Sequence, residues 1–441
     1  MILEYSVKNY KVFKEEVTIS FIASNYDKEN QKENFLETPD KKLRILKSAV
    51  IYGANASGKT KLLESLRTLR HLVINSSKNG QQEEPINVQP FLLSSTTENA
   101  PTEFNIIFLD DSAIYRYGCE VTRKQVLSEW LFYKKMEAKT REVQIFYRDT
   151  VDGTFEGHQK LFKKGNMLHE QQLVRDNALM LSVAAQFNDS ICSKIVKWFT
   201  NQVAVLSTQK EIEYKGYTMK KLSDKNFHDR IMKLLEVADL SIREVTSKTM
   251  GINEIPTGAP KEMKEFLLSK IESEHIPVYT GTITTHYHYD ETNRIIGKTD
   301  FMMEKDESDG TKKYFYLTGP IINALETGQT LFIDEFDARL HPNLVLKLFA
   351  LFNNSKINGK GAQLIITAQN SIFLKEGILR KDQLWFIEKD QFEAAHLYAL
   401  SDFKSTKVRK GENFETSYLK GKYGAVPFLN EFTAQRCCEK E

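Results

Sequence analysis

Cysteine is scarce: four residues in 441, at Cys119, Cys192, Cys437 and Cys438, show no metal-ligand spacing and exclude a disulfide framework as the basis of the fold. Long apolar runs are missing too. The best of them, residues 344–352, is interrupted by Lys347, which excludes a membrane span there. The first residues, M-I-L-E-Y-S-V-K, have neither the basic region nor the small-residue cleavage site of a signal peptide. Net charge is almost absent, with 61 basic residues against 59 acidic ones, so no global field draws the chain onto nucleic acid. Local basic clusters at Lys134-Lys135, Lys163-Lys164, Lys220-Lys221 and in residues 404–410, with Lys407, Arg409 and Lys410, read as solvated surface. No heptad persists over several turns, and there is no internal repeat or low-complexity tract. With 41% hydrophobic and 27% charged residues, the expectation is a cytoplasmic globular protein of two or three domains, or one large domain with an insertion.

Against these absences one motif stands out. Residues 53–60 read G-A-N-A-S-G-K-T, the full phosphate-binding P-loop pattern, and the apolar run Ala49, Val50, Ile51, Tyr52 leads into it as a buried strand should. Every position in it serves phosphate binding. Gly53, Asn55, Ala56, Ser57 and Gly58 let backbone N–H groups close around phosphates, and Lys59 neutralises their outer oxygens. The Thr60 hydroxyl can hold Mg²⁺, and Lys61 follows in the same turn. Leu62, Leu63, Leu66 and Leu69 then fall at helical spacing, which puts the phosphates at a helix N-terminus.

The chain's patterning predicts strands in residues 1–25, a polar surface loop or short helix over 26–44, and further strands at 102–109, 114–121 and 127–134. Residues 176–270 are largely helical in pattern, 276–304 return to alternation, and 317–400 alternate strands with helices as in an α/β sheet. Within that last region T-L-F-I-D-E, residues 330–335, is an apolar strand ending in two acids, the Walker B form. Asp334 there can hold Mg²⁺ and Glu335 can activate an attacking water. Just before it, Ser308-Asp309-Gly310-Thr311 opens a helical segment, where hydroxyl and free N–H groups form a second anion site. His286, His288 and Asp290 alternate and would share a strand face. Zinc there would need a further ligand pair of suitable spacing, and a solvated or packed face is the preferred reading.

On these residues the chain resembles the ABC-type ATPases related to SMC proteins, and among them the single-chain ATPases of bacterial anti-phage defence and abortive infection. The resemblance rests on Y-S-V-K-N-Y at 5–10, the P-loop, the Ser308-Asp309-Gly310-Thr311 signature and the Walker B acids Asp334 and Glu335. It also takes in D-A-R-L-H-P at 337–342 as a D-loop, L-I-I-T-A-Q-N at 364–370 at the switch position, and the ending Y-L-K-G-K-Y-G-A-V-P at 418–427. The fold it implies is α/β: an ABC-type P-loop ATPase head, a mixed α/β sheet with an antiparallel β subdomain, carrying an inserted largely helical subdomain. The expected boundaries are 1–135 for the N-terminal part of the head, 136–300 for the insertion and 301–441 for the C-terminal part.

The resemblance further implies two ATP molecules held between two copies of the chain, each on one P-loop and capped by Ser308, Gly310 and Thr311 of the other copy. Lys59 and Glu335 would be catalytic, and Thr60 and Asp334 would hold Mg²⁺, joined by Gln89 as the candidate Q-loop residue. The switch position carries Gln369 where the family has histidine, an amide that hydrogen-bonds but carries no proton at neutral pH, so slow hydrolysis is expected. Two roles stay open: a sensor or scaffold controlling a separate toxin or nuclease in defence, and a DNA-repair-type ATPase that clamps nucleic acid directly. Near-neutral charge and the missing coiled coil favour the first. A fused nuclease is disfavoured, because no Glu followed by an Asp-x-Asp pair closes the chain.

Overall fold

Alternating apolar residues in the first 135 positions fold as antiparallel strands, because each side chain that points inward finds a partner across the ladder. The computed structural model describes residues 1–25, 33–38, 43–78, 84–137, 140–207, 211–238, 240–250, 279–375, 377–403 and 412–427. The basic stretch 404–410, the cysteines at 437 and 438 and the expected helical pattern over 251–270 lie outside the described residues. The chain forms two compact units, Met1–Ser207 with Thr327–Phe336 and Phe349–Glu441, and Thr208–Glu326 with Asp337–Leu348.

The first unit holds a seven-stranded antiparallel sheet in the order Thr154–Gly157, Val143–Asp149, Val126–Lys135, Ala113–Val121, Thr102–Asp110, Ile2–Lys8, Val17–Ser20. Strict alternation in Thr102–Asp110 buries Phe104, Ile106 and Phe108 on one face. Two strands beyond residue 136 continue this sheet by hairpin pairing, so the expected boundary at 136 falls inside it. A six-stranded sheet runs Val203–Leu206, Thr330–Ile333, Gln363–Thr367, Ser48–Tyr52, Leu384–Lys389, Ala395–Ala399. Its first five strands are parallel and the last is antiparallel. Crossover connections bury parallel strands on both faces, and Ser48–Tyr52, Thr330–Ile333 and Gln363–Thr367 are accordingly buried at every residue.

The helix Lys59–Asn75 contributes Leu62, Leu63, Leu66 and Leu69 to a core shared with Phe104, Ile106 and Phe108 of the antiparallel sheet and Phe332 and Ile365 of the parallel one. Each such side chain stabilises the fold by up to about 2 kcal/mol. Gln363 stitches the two sheets: its Oε1 accepts from the Ile2 N–H and Thr330 Oγ1, and its Nε2 donates to the carbonyls of Ile2 and Leu46.

In the second unit, the helices Glu211–Lys221 and Lys225–Val237 precede a three-stranded antiparallel sheet, Glu244–Met250, Tyr279–Tyr289 and Ile295–Met302. Helices and strands thus stand together in the region expected as a largely helical insertion, the strands where residues 276–304 return to alternation. The helix Asp309–Thr327 follows and is buried along most of its length despite Pro320. Proline has no N–H for the Tyr316 carbonyl four residues back, and Thr218 Oγ1 donates to that carbonyl instead, at 2.6 Å. Gly319 makes this approach possible, since a Cβ there would collide with Thr218. Among the described residues no helix is long and apolar enough to cross a membrane.

Candidate functional site

Three parallel strands end side by side in the first unit, and each ends in a residue the sequence picked out or should have. Ser48–Tyr52 runs into the P-loop and Thr330–Ile333 into Asp334, while Gln363–Thr367 lies between them, pairing with both. Ligands of open α/β sheets bind beyond the carboxyl ends of the strands, because there the loops and helix N-termini present free N–H groups.

The P-loop is shaped by close approach. A Cβ on Gly53 would sit against the Ile387 carbonyl oxygen and Ser57 Oγ, too close for either to yield. Gly58 has φ +118°, and a Cβ on it would press on Val12 and Ala395. Ala56 also lies in the left-handed region, at φ +61°, so successive N–H groups turn toward one concavity. Asn55 and Ala56 are exposed, while Ser57, Gly58 and Lys59 are buried. Lys59 Nζ donates to the Gly53 carbonyl at 2.5 Å and the Ala54 carbonyl at 3.0 Å, which holds it over the loop. Ser57 Oγ is buried and has no hydrogen-bond partner among the described residues. Thr60 is half-buried in the first turn of a helix whose first turn carries no acid to repel an anion.

On the neighbouring strand ends, Asp334 is 3% exposed and its Oδ1 accepts from Thr367 Oγ1 at 2.6 Å. The same Thr367 Oγ1 accepts from the Glu335 N–H at 2.8 Å, which fixes Glu335 in the left-handed region at φ +47°. Thr367 thereby holds the Asp334 carboxylate and the Glu335 backbone through one hydroxyl. The chain matches, over residues 48–159 and 217–374, the family described as "AAA domain, putative AbiEii toxin, Type IV TA system". It belongs to that family.

No curated protein matches it. Among solved structures it is similar to an SMC head domain from Thermotoga maritima, 11% identical, with TM-score 0.37 over 90% of this chain and 98% of that one. An SMC head bound to the C-winged helix domain of ScpA is 12% identical, with TM-score 0.36 over 92% and 99% of the two chains. The recombination mediator protein RecF is 12% identical, with TM-score 0.30 over 90% and 98%.

In this member of the family the remaining expected residues fall as follows. Lys61 Nζ binds Glu64 Oε2 at 2.9 Å, and Lys11 binds the other oxygen. Burial works to raise the Glu64 carboxyl, but these two cations win and hold it below its usual range. Gln89 is exposed; its carbonyl accepts from the Lys11 N–H, one residue before the Val12 that packs on Gly58. Gln369 is exposed just past the strand end. Ser308, Gly310 and Thr311 belong to the second unit. There Ser308 Oγ accepts from the Thr311 N–H at 3.1 Å and lies 2.9 Å from Thr311 Oγ1, capping the helix Asp309–Thr327. Gly310 faces the D-loop, where a Cβ would stand 2.7 Å from the Arg339 carbonyl oxygen.

The alternating His286, His288 and Asp290 have other employment. His286 bonds Glu307, His288 meets Thr299, and Asp290 closes the hairpin turn through Thr292 and Arg294. Among the described residues no group of three or more His, Cys, Asp or Glu could hold a metal ion.

Sequence reasoning missed Thr367, whose hydroxyl has no motif of its own, and the purpose of the C-terminal ending. Tyr418 packs on Tyr52, the residue before the P-loop, with ring centroids 5.5 Å apart, and Phe386 stacks between Tyr418 and Tyr423. Glu388 then accepts from the Ala425 N–H. A buried strand ending in an aromatic residue was the available signal for Tyr52; nothing local signalled Thr367.

Proposed function

We propose that this chain binds and hydrolyses ATP, dimerises around it, and acts as a sensor or scaffold controlling a partner toxin or nuclease in anti-phage defence. The observation that carries the reading is Thr367, which ties Asp334 and Glu335 together on the strand next to the P-loop strand. The orphaned Ser57 hydroxyl and the glycine-shaped concavity beside Lys59 suit phosphate oxygens. Thr60 and Asp334 offer the hard oxygen donors that Mg²⁺ prefers. Bound there, the ion would withdraw charge from the phosphate oxygens. Lys59 binds the outer phosphates, and Glu335, held by its backbone N–H, takes the proton of the attacking water. Ser308, Gly310 and Thr311 of a second copy close the site, so a bound γ-phosphate favours the dimer and its loss releases it. Gln369 supplies a hydrogen bond without a proton, which suits slow turnover and a long-lived ATP-bound state. The toxin–antitoxin description of the family supports an effector partner.

Glu335→Gln protein mixed with ATP and Mg²⁺ tests the reading by light scattering after gel filtration. A stable dimer that retains ATP is expected, and failure of either overturns the model. Lys59→Ala in the same background should abolish retention. Retention of DNA by the ATP-bound form at physiological salt would instead favour the repair-type clamp.

A further inference from the structure

The signature is held from its N-terminal side by a residue no motif contains. Glu307 ends the short helix Met303–Asp306 and immediately precedes Ser308, the cap of the helix Asp309–Thr327. Its Oε1 accepts from Thr284 Oγ1 at 2.6 Å and lies 2.8 Å from His286 Nε2. The side chain is 12% exposed, and the His286 ring stands edge-on against Phe301 at 5.2 Å. Thr284 and His286 are alternate residues of the strand Tyr279–Tyr289 and share the face on which Phe301 lies opposite Thr284. On its other side the signature meets the D-loop backbone at Arg339, itself in the left-handed region at φ +63°. The backbone between Glu307 and Gly310 is therefore clamped at both ends, once by side-chain bonds to a strand and once by a contact only glycine permits.

We infer that Glu307 is a positioning residue for the nucleotide reaction: through Thr284 and His286 it ties the place of Ser308 to the three-stranded sheet of the second unit. The inference rests on the ATP-sandwich reading, in which Ser308 acts on the nucleotide of the other copy. A movement of the strand Tyr279–Tyr289 reaches the signature through one carboxylate oxygen, so whatever binds that sheet biases dimerisation. A pair of hydrogen bonds of this kind is worth about a factor of ten or more in an equilibrium that depends on it.

The test uses the full chain in the Glu335→Gln background with ATP and Mg²⁺. The parent is measured first, and a parent that does not dimerise overturns the sandwich reading and this inference with it. Given a dimerising parent, Glu307→Ala should weaken ATP-dependent dimerisation at least about tenfold, with ATP affinity of the monomer unchanged. Glu307→Gln keeps an acceptor for both donors and should restore dimerisation to within about threefold of the parent. Should Glu307→Ala fail to fold, the pair Thr284→Val and His286→Phe removes the donors from the strand side and should give the same loss. Dimerisation unaffected by either approach overturns the inference. So does a Glu307→Gln protein as weak as Glu307→Ala, because charge and not position would then be the property that matters.

Discussion

In the first unit the strands that end at the P-loop, Asp334 and Thr367 are buried at every residue, whereas in the second unit Ile295–Met302 exposes almost every side chain. At the first site Asp334 Oδ1 and the Glu335 N–H share the Thr367 hydroxyl, and Lys59 holds two carbonyls. In the second unit the signature is held by one glutamate oxygen, the Ser308 cap and one glycine contact. Where buried neighbours have fixed the frame, each further bond costs little, because little freedom is left to lose. Where constraints are few, a small differential affinity shifts the position of the segment.

The largest test of this contrast is Lys59→Ala. Turnover should fall roughly 10²–10³-fold in steady-state phosphate release while the melting temperature holds, because the lysine acts on phosphate and not on the core. Thr367→Val comes next. It strands the Glu335 N–H and removes a donor from Asp334, so a loss of about 1–3 kcal/mol in urea unfolding is expected together with reduced turnover. A Thr367→Val protein with unchanged stability and rate would remove the claim that this hydroxyl organises both acids. Within the second unit, Thr218→Val should cost about 1–2 kcal/mol, read as a lower unfolding midpoint, because the Tyr316 carbonyl loses its donor next to Pro320.

Two smaller effects sharpen the comparison. The depressed Glu64 carboxyl contributes stability above the ordinary carboxylate value that is lost as pH falls through its folded value. Partly exposed pairs are screened, so Glu64→Gln should cost under about 1 kcal/mol at neutral pH and flatten the acid limb of the unfolding curve. Ile296→Ser, on an exposed strand, should stay within about 0.5 kcal/mol of the parent by thermal melt. A large loss there would mean that the exposed face is part of the fold.

Much of the first unit was legible. Alternation announced Thr102–Asp110, and a four-residue apolar run followed by glycine announced Ser48–Tyr52, since burial of both faces leaves no polar position in such a strand. The P-loop and the acids at 334 and 335 were readable because phosphate chemistry fixes residue types at fixed spacing. The strands in residues 279–302 were readable as alternation, whereas the boundary at 136 came with the family resemblance, and a resemblance does not say which sheet a strand joins. The bonds of Glu307 were beyond sequence reasoning for the same cause: they cross 21 and 23 residues, and no local pattern sets that pairing.

By itself, then, the sequence determined a phosphate-binding pattern at residues 53–60 and a strand ending in carboxylates at 334 and 335, because backbone freedom, charge and hydroxyl placement are properties of short segments. Only the tertiary structure decided that Thr367 joins the two acids, that Tyr418 supports the residue before the P-loop, and that Glu307 answers to the strand Tyr279–Tyr289. These are meetings between distant parts of the chain, and they follow from strand order and register, which emerge when the sheets pack and not before.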